Sequence, residues 1–233
     1  MGDEVVTTPY GKFFVDPEDC IGGTLKAGTI WDGPGFLQVV LKDYTTVGTT
    51  VIDIGANFGS FTVYCASKGY KVIAVEPMPE TLRYLRATLD LNQASCADKV
   101  ILLPFAAYDN RCYLTNRDFV PHNFGSPSLV PILLGEISNE QLEAAPLDDY
   151  RMLFGTVGLI KVDAQGCDAA ALHGLSTTIR KQHPVIVFEW EEDMATPHGY
   201  TLEHTLAWLV ELGYQVIQWP SHRSNYLAVW GTR

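Results

Sequence analysis

Val51-Ile52-Asp53-Ile54-Gly55-Ala56-Asn57-Phe58-Gly59 is an apolar run that stops in a tight glycine turn. A second apolar run, Val72-Ile73-Ala74-Val75, ends in the carboxylate of Glu76, seventeen residues beyond Gly59. The spacing predicts a strand, a ligand-cradling loop, a helix and a second strand. The two glycines let backbone pass close to a ligand where a Cβ would collide. An acid at the tip of the second strand can accept hydrogen bonds from both hydroxyls of a ribose, as in dinucleotide-binding folds.

The loop departs from G-x-G-x-x-G, because no glycine stands where a pyrophosphate would press. Asp53, two residues ahead of the loop, suits a ligand with a positive charge, such as the amino group of S-adenosyl-L-methionine. The reading is therefore a core that binds this cofactor for methyl transfer. An NAD-dependent oxidoreductase on a similar sheet is the rival enzyme class. A protein that binds the cofactor without transferring a methyl is the non-enzymatic alternative.

Working outward, strands and helices alternate. Strands are expected at 51–54, 71–76, 100–106, 157–162 and 184–189, and helices at 58–68, 79–92 and 167–180. Such alternation predicts a mostly parallel sheet with helices on both faces. The continuously apolar Val185-Ile186-Val187-Phe188 suits a strand covered on both sides. A helix over 201–212, stopped by Gly213, is followed by strands at 214–219 and 226–230, so an antiparallel hairpin should close the sheet. Residues 1–50 are expected to be an N-terminal extension packed on the core, and 51–233 the catalytic domain, as one domain overall. Within the extension, Tyr10 to Val15 suits a strand or hairpin arm, and Gly35 to Tyr44 a short helix. Segment 111–146 has Pro121, Pro127 and Pro131 and little period, as a long functional loop does.

The formal charge, 16 − 27 = −11, with scattered Lys and Arg, argues against a nucleic-acid substrate. No apolar run reaches the roughly 20 residues that a membrane span needs. Met1-Gly2-Asp3-Glu4 lacks the basic and apolar segments of a signal peptide, so a cytoplasmic protein is expected. Five cysteines without C-x-x-C spacing predict neither a disulfide framework nor a zinc site.

With these motifs in order, the chain resembles the FkbM family of methyltransferases over roughly residues 8 to 230. The residues that carry the resemblance are Val51 to Gly59, Ala74-Val75-Glu76-Pro77, Phe105-Ala106-Ala107-Tyr108-Asp109, Pro146-Leu147-Asp148-Asp149-Tyr150, Ile160-Lys161-Val162-Asp163 and Val187-Phe188-Glu189-Trp190. The resemblance implies a Rossmann-like class I methyltransferase sheet and O-methylation of a hydroxyl on a small-molecule or saccharide acceptor. After the fourth-strand Asp the family usually has Val-Glu-Gly-Ala-Glu, where this chain has Ala164-Gln165-Gly166-Cys167-Asp168. Asp168 keeps one acid and Gln165 loses the other. If the usual Glu is catalytic, activity here differs; if it orients backbone, Gln is a neutral stand-in.

For the cofactor, the expected residues are Asp53 toward the amino group, Gly55, Ala56, Asn57, Phe58 and Gly59 in the loop, and Glu76 on the ribose. Pro77, Met78, Phe105, Ala106 and Ala107 are expected around the adenine; for Met78 and Phe105, ordinary core packing is the alternative. Methyl transfer to a hydroxyl needs the acceptor held in line and its proton removed. Asp163 is the first candidate base, since ligands lie outside the carboxyl ends of strands in open sheets; its alternative role is to cap the next helix. Glu189 at the end of the fifth strand and His122 in the 122–128 loop are the others, and Lys161 shares a strand face with Asp163. No metal is expected, because hard cations need several converging oxygens and Gln165 removes one carboxylate. An exposed N-terminal segment and the terminal hairpin both offer surface for a homodimer.

Overall fold

The structure, a computed structural model, describes residues 2–28, 35–117, 129–132, 141–220 and 224–231. Seven strands form the central sheet: β1 (Thr50–Ile54), β2 (Lys71–Val75), β3 (Val100–Leu103), β4 (Val157–Val162), β5 (Val185–Glu189), β6 (Tyr214–Gln218) and β7 (Asn225–Trp230). Their spatial order is β6-β7-β5-β4-β1-β2-β3. β1 to β5 run parallel, while β7 inserts antiparallel between β5 and β6. The fold is an α/β, mostly parallel sheet closed by an antiparallel pair, as the sequence pattern predicts.

Alternation along each strand builds two cores. Val51, Val72, Leu159, Val187 and Leu227 face one layer, which also holds Phe13, Leu25, Leu37 and Phe61. Ile52, Ile73, Ile160, Ile186 and Ala228 face the other, with Leu172, Ile179 and Leu209. The period-two switch from one face to the next puts helices on both sides of an apolar sheet. On the first face, the odd-numbered positions of β4 and β5 carry the polar residues of the site. Register places Asp53 of β1 directly beside Lys161 of β4.

The N-terminal hairpin, Glu4–Thr8 paired with Gly11–Val15, lies along the helix Pro79–Leu91. The Phe14 amide donates to Thr88 Oγ1 at 3.1 Å, the Lys12 amide to Asn92 Oδ1 at 3.1 Å, and Asn92 Nδ2 to the Lys12 carbonyl at 2.6 Å. Asp19 caps the helix Cys20–Lys26 by accepting from the Ile21 and Gly22 amides.

Three local expectations differ from the structure. The strand expected over 100–106 ends at Leu103, because Pro104 has no amide to continue the ladder. Ala106–Ala107 instead joins a second, four-stranded sheet with Leu142–Ala145, Cys112–Asn116 and Leu129–Pro131. Within the segment expected to be a long loop, 111–146, the described residues include three short strands. The helix expected over 167–180 is two helices, Asp168–His173 and Ser176–Gln182. Between them, Gly174 passes so close to the Tyr108 carbonyl that a Cβ would lie 2.0 Å from its oxygen.

Candidate functional site

β1 delivers the chain into Gly55 with φ +74, where the Gly55 and Ala56 amides both donate to the Val75 carbonyl. The carbonyl of Asp163, at the end of β4, crowds the same residue. A Cβ on Gly55 would lie 1.9 Å from that oxygen, so only glycine fits. Asn57 also takes a left-handed conformation, φ +50, and its Oδ1 accepts from the Phe58 amide at 2.6 Å. Phe58 is fully buried, 4.7 Å from the Tyr84 ring, and anchors the loop before the helix Ser60–Ser67 begins. Ala56 is buried beside it, and Gly59, φ +86, passes close to Leu85.

Glu76 closes the loop from the side. Its Oε2 accepts from the Asn57 amide and its Oε1 from the Met78 amide, each at 3.0 Å. Burial pushes its carboxyl up to about 7, although these two hydrogen bonds pull the other way. Beneath the loop, Asp53 has no exposed surface. Its Oδ2 accepts from Thr62 Oγ1 at 2.6 Å, and its Oδ1 lies 3.5 Å from Lys161 Nζ. Burial raises the Asp53 carboxyl above the ordinary range, with Lys161 opposing. The structure thus places this acid under the loop, on a lysine and a threonine, rather than on the loop's open face.

Lys161 joins this base to the next group. Its Nζ donates to the Gly55 carbonyl at 3.1 Å and lies 3.4 Å from Asp163 Oδ2. Asp163 Oδ1 accepts from Gln165 Nε2 at 3.0 Å, and the same nitrogen lies 3.5 Å from Glu189 Oε2. Glu189 Oε1 accepts from Ser224 Oγ at 2.9 Å. Glu189 is pushed up to about 8 by burial first, then by the negative charge of Asp163 and a hydrogen bond to it. Burial and the neighbouring carboxylate thus both favour the neutral form of Glu189.

Asp163 does not cap the following helix. Asp168, the first residue of that helix, instead secures the turn before it, accepting from the Ala164 amide at 3.1 Å and the Gly166 amide at 3.0 Å. Burial pushes Asp168 up to about 7. Its oxygens are turned into the loop backbone, away from a shared site with Asp163 and Glu189. No group of three or more His, Cys, Asp or Glu able to hold a metal ion occurs among the described residues.

Met78 is buried with Ala106, Tyr108 and Leu114, and Phe105 packs 4.8 Å from the Tyr150 ring. Ala107 is buried in the sheet's second core, while Pro77 is half-buried after Glu76. His122 lies outside the described residues. His198 is buried with its Nδ1 3.0 Å from Tyr108 Oη, and His173 stacks between Tyr200 and Trp208, so both belong to the packing. Sequence reasoning missed Ser224 and Thr62 as partners of the site acids. Ser224 follows a turn that signals only a loop, and Thr62 lies one helical turn inside a run read as apolar.

The chain matches the model of the methyltransferase FkbM domain over residues 53–216, and it belongs to that family. It is similar in fold to a methyltransferase FkbM from Methylobacillus flagellatus KT, with 19% identity and a TM-score of 0.54. That alignment covers 78% of this chain, which spans only 44% of the other's length. The precorrin-6y C5,15-methyltransferase of Geobacter metallireducens GS-15 matches at 17% identity and a TM-score of 0.46, covering 84% of this chain and 87% of that one. Aeropyrum pernix fibrillarin, solved with S-adenosyl-L-methionine natively bound, matches at 10% identity and a TM-score of 0.47, covering 97% and 81%. No curated protein matches the sequence. Residues 53–216 therefore form a methyltransferase domain of the FkbM type, whose cofactor is S-adenosyl-L-methionine. The residues present fit that cofactor: at the end of β2 the buried carboxylate of Glu76, whose described partners are two backbone amides, stands beside the glycine turn that ends β1. No helix among the described residues is long and apolar enough to cross a membrane.

Proposed function

We propose that this methyltransferase transfers its methyl group to a hydroxyl of a small molecule or saccharide, with Asp163 as the base. The observation that carries this reading is the Asp163–Glu189 pair, joined to the cofactor loop by the single ammonium of Lys161. The bound cofactor supplies a methyl carbon on a sulfonium, activated toward in-line attack. Glu76 holds the ribose hydroxyls with the lone pairs that its two backbone partners leave. Gly55 to Gly59 cradle the methionine portion, and Met78, Phe105 and Ala106 wall the adenine. Asp53 acts from below, holding Lys161 and the start of the helix Ser60–Ser67 in place.

On the acceptor side, Asp163 takes the hydroxyl proton as the oxygen attacks, and protonated Glu189 donates a hydrogen bond that orients the acceptor. Asp163 hangs from the strand next to the one that leads into the loop, which keeps base and methyl donor in a fixed relation, as near-attack geometry requires. The net charge of −11 supports an acceptor that carries no phosphate chain. Calorimetric titration with S-adenosylhomocysteine, with NAD as the control ligand, tests the cofactor site; saturable binding of the first alone is expected. Asp163→Asn should keep that binding and lower methyl transfer to a hydroxyl acceptor by roughly 10²–10⁴-fold. Undiminished turnover in Asp163→Asn would sink the assignment of the base.

A further inference from the structure

Gln165 stands in the turn between β4 and the helix Asp168–His173, with φ +49. The turn is tightly determined on its far side. Gly166, φ +98, runs so close to Met194 that a Cβ would lie 2.4 Å from its carbonyl oxygen. Asp168 gathers the Ala164 and Gly166 amides beneath it. Held this way, the Gln165 side chain lies back over the sheet end, where its Nε2 donates to Asp163 Oδ1 at 3.0 Å and lies 3.5 Å from Glu189 Oε2. A carboxamide nitrogen carries two N–H donors and no charge. One such group can therefore face two carboxyls and stabilise the anion of the pair without adding charge to the site.

We propose that Gln165 is a positioning residue whose carboxamide clamps Asp163 and Glu189 side by side as one acid–base unit and stabilises the anion of the pair. This rests on the acid–base reading of the pair given above and adds the residue that makes two carboxyls act as one. The charged and polar groups facing the pair are Lys161 on β4, Asp53 behind it on β1, Asp168 on the following helix and Ser224 ahead of β7. Of these, Lys161 touches only Asp163 within the pair and Ser224 only Glu189, among the contacts described. Gln165 reaches both. Burial beside the Asp163 charge favours the neutral form of Glu189, and the Gln165 donor works against this by favouring the anion.

The test is a carboxyl ¹³C titration of the full ligand-free chain labelled at glutamate Cδ, with the Glu189 resonance identified by its loss in Glu189→Gln. Gln165→Met keeps the side-chain length and removes the donors. It should raise the Glu189 midpoint by on the order of one pH unit, because an anion loses its hydrogen bonds. Gln165→Lys restores a donor with a charge and should lower the midpoint by a similar amount. The upward shift in a folded Gln165→Met is something that a role in turn packing alone does not produce, and Gln165→Lys checks that position 165 faces the pair. If Gln165→Met fails to fold, Gln165→Gly suits the left-handed turn, removes the amide and should give the same upward shift. A midpoint that stays put in the folded variants overturns the proposal. Titration of the native chain with S-adenosylhomocysteine tests the cofactor site by itself, so failure there is distinguishable from failure of the clamp.

Discussion

Glu76 is a carboxylate that folding desolvates before any ligand arrives, with one oxygen on each of two backbone amides. Its raised midpoint of about 7 has a direct consequence for binding. Ribose hydroxyls donate to the ionised form, so affinity for S-adenosylhomocysteine should climb by up to about tenfold per pH unit below 7 and level off above it. In Glu76→Gln the climb should vanish. Glu76→Ala should lose about 1.5–3 kcal/mol of binding free energy, measured by calorimetry at pH 8, while the chain stays folded. Unchanged affinity in a folded Glu76→Ala would remove this carboxylate from the site. The residue was legible in sequence because an acid after an apolar run marks a strand tip. The fate of Asp53 was not legible. Its partner Lys161 lies more than a hundred positions away, and only the register of β1 against β4 brings the two together. Once the sheet has formed, the local pattern that suggested a reach toward the cofactor yields to a buried ion pair.

At the scale of elements, the strands of the parallel sheet were readable from apolar runs, and their ends were set by single residues. Gly174 shows what such reading lacks. Its φ is ordinary for a helix, so nothing in the local sequence demands glycine, yet the Tyr108 carbonyl occupies the space of its Cβ. Gly174→Ala should therefore destabilise the protein by about 1–3 kcal/mol through displaced backbone, read by chemical denaturation. A neutral result would mean that the contact yields freely. The small sheet of Ala106–Ala107, Leu142–Ala145, Cys112–Asn116 and Leu129–Pro131 was hidden for a different reason. Its strands have two to five residues, too short for a period to emerge from their neighbours. The N-terminal hairpin is tied to the end of the helix Pro79–Leu91 by Asn92, which both accepts from and donates to Lys12. Asn92→Ala should leave the central sheet intact and speed limited proteolysis within residues 4–15.

At the scale of the whole molecule, several buried acids give stability a pH dependence of unusual sign. Glu76, Asp168 and Glu189 all have native carboxyls raised to about 7, about 7 and about 8. Unfolded carboxyls titrate near 4. Between these limits the native state binds more protons than the unfolded one, so stability is fully present below about pH 4 for these groups and is lost as pH rises through 7 and 8. The ligand-free protein should melt on the order of 5–10 °C lower at pH 8.5 than at pH 5.5 by scanning calorimetry. Flattening of that slope in Glu189→Gln would tie it to the acid pair, and a melting point that rises with pH would contradict neutral buried acids altogether.

The position of β7 carries one more consequence. It is the last strand in the chain, yet it lies inside the sheet, between β5 and β6. Strand β5 therefore keeps a bare edge until residues 225–230 have been synthesised, and Ser224 reaches Glu189 only at that moment. During translation, the strand–loop–strand unit of β1 and β2 precedes residues 224–230, whereas the acid pair acquires Ser224 only with them. Nascent chains that stop short of Asn225 would expose an apolar strand edge open to pairing with other chains. The same order of assembly delays completion of the acid pair until its own sheet is closed.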